Sequence, residues 1–201
     1  MILTLHPDTP QMRHLERIAE VLQRDGVIAY PSDTLFGLGC LASRKKAVDR
    51  ILQIKRGGDP KRPMSMLCSD MEMLGRNTRH LDTPTFRLLK QLLPGPYTVL
   101  LPASRLVPRY LHNKQVVGLR MPDTAFCREL VGLLGEPIIT TSAFLPDQPI
   151  LNSAWELEEE LGHALDLVVD CGQPAGVPST ILDLSGDEPL LLRAGLGPWP
   201  L

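Results

Sequence analysis

The 201-residue sequence contains no uninterrupted apolar run of about eighteen residues, which excludes a helical membrane span. Cysteine is scarce. Cys40, Cys68, Cys127 and Cys171 lie far apart with no CxxC pair, which argues against a disulfide scaffold and against zinc, and predicts buried free thiols in a reducing compartment. The histidines His6, His14, His80, His112 and His163 are scattered without a ligand spacing such as HExxH, so no protein-held metal is expected. There is no GxxxxGK[ST] loop, and Gly37-Leu38-Gly39 lacks the third glycine of a dinucleotide fingerprint. No GxSxG elbow supports a nucleophilic serine. Met1 to Pro10 lacks the basic start and apolar run of a secretory signal, so a cytoplasmic protein is expected.

What is present describes an ordinary globular chain. Hydrophobic residues make up 43% and charged residues 22%, and the length suits one compact domain over residues 1–201. The formal net charge of -2 hides an asymmetry. Up to Arg128 there are 20 Lys or Arg against 11 Asp or Glu; from Glu129 onward one basic residue, Arg193, faces 12 acidic ones. A basic half of that size either is a solubilising face or binds phosphate-bearing partners through Lys and Arg.

Helical spacing of Met12, Leu15, Ile18, Ala19 and Leu22 predicts a first helix over Gln11 to Asp25, with Gly26 as its stop. Val27 to Tyr30 and Leu35 to Cys40 read as strands around a Pro31-Ser32-Asp33 turn, followed by a helical face of Ala47, Val48, Ile51, Leu52 and Ile54. Further strands are predicted at Met64 to Cys68, Thr98 to Leu101, Val116 to Met121, Ile138 to Thr141, Leu167 to Asp170, Thr180 to Leu184 and Leu190 to Arg193. Thr83 caps one intervening helix with Pro84 at its first position, Asp123 caps another through Leu134, and Ser153 with Glu156 forms a capping box. Strands joined partly by turns and partly by helices predict an α/β (or α+β) fold, a mixed sheet with helices packed on it.

Four segments could carry chemistry. Ser32, Asp33 and Thr34 are consecutive small polar residues ahead of Gly37 and Gly39, and they either bind a polar ligand or satisfy the local turn. From Arg44 to Arg62 there are 8 basic residues against 2 acidic ones, ending in the loop Lys55 to Pro63. Lys supplies a point charge and Arg a bidentate fork, both suited to phosphate. Arg120 sits in an otherwise apolar strand, where it must snorkel or meet an anion. Thr140-Thr141-Ser142 and Ser179-Thr180 are hydroxyl clusters at strand ends.

Taken in order, YPSDTLFGLGC from Tyr30, the basic loop into KRPMSML, PGPYTVLL, VGLRMP, TTSAF, PSTILDL and LLRAGLG resemble the YrdC/YciO family of threonylcarbamoyl-AMP synthases and relatives. Lys55 followed directly by Arg56, Phe144 in place of a family asparagine, and Asp123-Thr124 after Arg120-Met121-Pro122 resemble the YciO-like branch. The resemblance implies a twisted mixed sheet flanked by helices with a basic concave surface. It implies synthesis of threonylcarbamoyl-AMP and pyrophosphate from L-threonine, bicarbonate and ATP, with Mg2+ assisting, for threonylcarbamoyladenosine modification of tRNA. The alternative it leaves open is a non-catalytic module binding double-stranded RNA, tRNA or nucleotide. Carried over by position, Thr34, Arg120, Thr140 and Ser179 would contact threonine; Lys55, Ser142, Arg193 and either Arg56 or Arg62 would contact the nucleotide.

Overall fold

The computed structural model describes residues 1–55, 64–111, 115–143 and 150–199. In chain order the strands are β1 (Ile2–Thr4), β2 (Ile28–Pro31), β3 (Phe36–Leu41), β4 (Ser65–Leu67), β5 (Tyr97–Pro102), β6 (Val116–Arg120), β7 (Ile138–Ser142), β8 (Leu167–Asp170), β9 (Thr180–Asp183) and β10 (Leu190–Arg193). The helices are α1 (Met12–Gln23), α2 (Lys45–Ile54), α3 (Met71–Asn77), α4 (Thr83–Leu92), α5 (Ala125–Leu134) and α6 (Ala154–Leu161). All ten strands form one sheet in the order β1-β8-β2-β3-β7-β4-β6-β5-β9-β10. The sheet is mixed: β1, β8 and β2 run parallel, β3 is antiparallel to both β2 and β7, β7 is antiparallel to β4, and parallel pairs recur at β4–β6 and β5–β9. The expected fold class is therefore the observed one.

β2 and β3 are buried along their whole length, whereas the β10 edge is exposed at every residue. Burial at both faces explains why β2 and β3 read as apolar runs and not as alternating strands. α1 buries Leu15, Ile18, Ala19 and Leu22, the stripe its spacing predicted, against α5 and β3. In α2, Ala47, Val48 and Ile51 are buried but Leu52 is 39% exposed, because residue 52 falls off the stripe.

Several boundaries move by a residue, and each has a local cause. Asp25, with φ of 62°, takes the left-handed position after α1, and the Gly26 N–H returns to the Val21 carbonyl. Gly26 is needed for space instead: a Cβ there would stand 2.4 Å from the Val21 carbonyl oxygen. Asp82, not Thr83, caps α4, its carboxylate accepting from the Thr85 N–H. Thr124 caps α5 through the Cys127 N–H, leaving Asp123 free for an ion pair with Arg128 at 2.6 Å. The Ser153–Glu156 capping box forms as expected. The short elements β1 and α3 were not predicted; three and seven residues are too few to show a period.

Candidate functional site

A cavity of about 230 Å³ opens where β3, β7, β4, β6, β5 and β9 lie side by side. Its shape follows from side-chain size. Thr140 is in register with Gly39 on one side and Ser65 on the other, and Ser65 is in register with Gly118, so a band of small residues crosses the sheet. Gly37 deepens it, since a Cβ there would approach the Thr140 Oγ1 to 2.9 Å and the Tyr30 hydroxyl to 3.1 Å. Tyr30 closes the base, donating to Thr140 Oγ1 at 2.6 Å, and burial raises its phenol pKa, so it stays protonated.

Residues far apart in sequence converge here. Arg120, Thr140, Ser142, Ser179, Lys55 and Arg193 all line the cavity, and Thr34 lies just behind its wall. Arg56, Arg62 and Phe144 fall outside the described residues. Arg120 Nη2 donates to Asp33 Oδ1 at 2.9 Å and to Thr34 Oγ1 at 2.8 Å, and the Arg120–Asp33 pair is only 12% and 11% exposed. The buried arginine thus meets an anion, the protein's own. Its Nε is buried without a hydrogen-bond partner among the described residues, which is costly unless a ligand supplies an acceptor. Arg193 donates from Nε and Nη2 to the Ser179 carbonyl at 3.1 and 2.7 Å, and from Nη2 to Ser179 Oγ at 3.1 Å. Lys55, at the C-terminal end of α2, donates to the Ser142 carbonyl at 3.0 Å.

The turn before β3 divides its labour differently from the local-turn expectation. Ser32 alone closes it, donating to the Leu35 carbonyl at 2.7 Å, while Asp33 and Thr34 turn to Arg120 and Asp33 Oδ2 also accepts from the Asp123 N–H. Two lining residues were missed. Thr98 shares a 2.8 Å hydroxyl contact with Ser179, and Ser65 sits beneath the Gly118 backbone. A hydroxyl at the apolar start of β5, one step beyond the Val99–Leu119 pair and so opposite Arg120, was the available signal for Thr98. Buried Cys40, Cys68 and Cys127 have thiols pushed up to about 12 by desolvation, so they pack and do not attack. Cys171 is only half-buried, contrary to expectation.

A second, larger cavity of about 560 Å³ shares Ser32 with the first, and Asp33, Asp123, Thr124 and Arg128 face it. Much of the basic half lies elsewhere. The Thr78–Ala103 bridge and the Arg79 N–H to Pro102 carbonyl bond draw residues 76–79 against 103–105, and Arg79 and Arg105 line a recess of about 460 Å³. Arg76, Arg79, Arg105 and Arg109 are exposed, and none has a carboxylate partner among the described residues. Thr98 and Ser104 are six residues apart along β5 and its extension, about 20 Å at strand rise, so recess and cavity lie at opposite ends.

No helix among the described residues is long and apolar enough to cross a membrane, and none of their His, Cys, Asp and Glu groups is placed to hold a metal ion.

A ten-stranded mixed sheet that carries a hydroxyl-lined, arginine-flanked cavity on its small-residue band defines the class of YrdC-type domains. Residues 20–195 match the family described as telomere recombination, the Sua5/YciO/YrdC domain, and the chain belongs to that family. It is 34% identical over 196 residues to the uncharacterized protein YciO of Escherichia coli, covering 96% of this chain and 94% of that protein. The crystal structure of E. coli YciO superposes with a TM-score of 0.92 at 32% identity, covering 98% of this chain and 97% of that one. The chain is also 33% identical over 182 residues to a threonylcarbamoyl-AMP synthase of Pyrococcus abyssi, covering 89% of this chain but 53% of the synthase. P. abyssi Sua5 complexed with L-threonine superposes with a TM-score of 0.89 at 29% identity, over 97% of this chain and 57% of Sua5.

Proposed function

We propose that the protein makes threonylcarbamoyl-AMP and pyrophosphate from L-threonine, bicarbonate and ATP, in the cytoplasm, as a step of tRNA threonylcarbamoyladenosine modification. The observation that carries this reading is the convergence in one cavity of three cationic side chains, Lys55, Arg120 and Arg193, with the hydroxyls of Thr98, Thr140 and Ser179. The family's threonine-bound Sua5 structure supports it. Arg120, aided by Thr34, takes the threonine carboxylate, and the hydroxyls of Thr140 and Ser179 hold the rest of the amino acid. Lys55, Ser142 and Arg193 contact the nucleotide, the family correspondence gives Arg56 or Arg62 the same role, and Mg2+ bound to ATP would offset the charge of its phosphates. The threonine amine forms its N–C bond with bicarbonate as water leaves. A carbamate oxygen then attacks the α-phosphorus and pyrophosphate departs. The residues act by alignment and by stabilising charge on the leaving group. The test is pyrophosphate release from ATP and bicarbonate on adding L-threonine; release no greater than from the Arg120→Ala variant overturns the proposal.

A second reading, contact with double-stranded RNA or tRNA, is favoured by the carboxylate-free arginines at the far end of β5. Unpaired arginines suit a repeating phosphate backbone, whose binding releases counterions. RNA affinity should fall with salt at a logarithmic slope of about -0.7 to -0.9 per phosphate contacted. A slope near zero overturns this reading.

A further inference from the structure

We infer that Asp33 is a resident competitor on Arg120, a carboxylate that an incoming substrate carboxylate must displace, and therefore a residue that sets affinity for carboxylate ligands. The inference rests on the threonine reading of the cavity. Its argument is one of counting protons. Arg120 Nη2 has two N–H groups, and Asp33 Oδ1 and Thr34 Oγ1 take both, at 2.9 and 2.8 Å. Arginine grips a carboxylate with two parallel N–H bonds, either from Nε with one terminal nitrogen or from the two terminal nitrogens. Nε is buried and unpartnered, Nη1 makes no hydrogen bond among the described residues, and a fork through either of them needs an Nη2 proton as well.

One present acceptor must therefore yield. Thr34 is 1% exposed and tied to Ser32 Oγ at 3.1 Å, so its side chain has no open space to move into. Asp33 has somewhere to go: it lines the adjoining 560 Å³ cavity, where Arg128, paired with Asp123 through Nη1, offers a second cation and the Asp123 N–H already holds Oδ2. Exchanging one carboxylate for another leaves the charge around Arg120 unchanged, whereas a neutral ligand would strip a largely buried arginine of its counter-charge. A ligand without a carboxylate cannot make the exchange.

Calorimetric titration of wild-type and Asp33→Asn protein with L-threonine and with L-threoninamide tests this. Removing the competing charge should tighten threonine binding about tenfold, the size of one charge-assisted hydrogen bond, and leave threoninamide unaffected. In the unaltered protein, where no substitution can disturb folding, threonine should move the side-chain carboxyl carbon resonance of Asp33. Wild-type protein that binds threonine without moving that resonance, or an Asp33→Asn variant that binds it no more tightly, overturns the inference alone. Failure of both forms to bind threonine overturns the threonine reading along with it.

Discussion

The two ends of β5 carry cations of opposite character. At the cavity end, Arg120, Arg193 and Lys55 are each held by a protein acceptor: the Asp33 carboxylate, the Ser179 carbonyl and the Ser142 carbonyl. At the other end Arg76, Arg79 and Arg105 are exposed, and their only side-chain hydrogen bond among the described residues is neutral, from Arg79 Nη2 to Gln115 Oε1. Held cations present their N–H groups in fixed directions and suit a small, shaped ligand. Exposed ones adapt to a polymer at an entropic cost repaid by counterion release. The basic half of the chain thus does not form one surface: among its described cations only Lys55 and Arg120 line the cavity.

The strongest way to break this contrast is Arg120→Ala. It should abolish threonine-dependent pyrophosphate release, and, by leaving the 11%-exposed Asp33 unpaired, lower folding stability by about 3 kcal/mol in denaturant unfolding. Reversing charge at the other end, in an Arg79→Glu/Arg105→Glu variant, should weaken duplex RNA binding at least tenfold and flatten its salt dependence. Threonine binding measured on the same preparation should not change, because the two sites lie about 20 Å apart. If both properties fall together, the division is wrong.

Smaller effects sharpen the picture. Gly37→Ala should cost about 1–3 kcal/mol of stability and weaken ligand binding, since its Cβ would stand 2.9 Å from Thr140 Oγ1 at the cavity floor. Asp70→Ala, at the cap of the helix that carries Arg76, should cost about 1 kcal/mol. Hydrogen bonds from the Met73 N–H and the Ser69 hydroxyl hold the Asp70 carboxyl below its ordinary value of 3.8. Its contribution is therefore complete above pH 3.8 and is lost as the pH falls through the depressed value; thermal unfolding of the variant should show a shallower acid limb.

Legibility in the sequence varied with range. The α1 stripe and the Ser153 capping box were readable because every group involved lies within a few residues. The α4 and α5 caps were misplaced by one residue, since Asp82-Thr83 and Asp123-Thr124 each offer two adjacent capping side chains and only packing decides between them. Arg120 stood out as a charge in an apolar strand, but its partner did not. Asp33 is 87 residues away, in a turn whose small polar composition reads equally well as local hydrogen bonding. Thr98 and Ser65 were overlooked because a lone hydroxyl in a strand is common and costs little when bonded.

By itself the sequence determined the local periods, the buried stripes, the division of charge and the residue types available for chemistry. These depend on spacing along one segment. Tertiary structure decided the strand order, which inserts β7 between β3 and β4 and β6 between β4 and β5, and so set Thr140 beside Ser65 and Arg120 within reach of Asp33. It also sent Arg79 and Arg105 to the opposite end. Pairing order is chosen by burial of the whole sheet at once, a property no single segment carries.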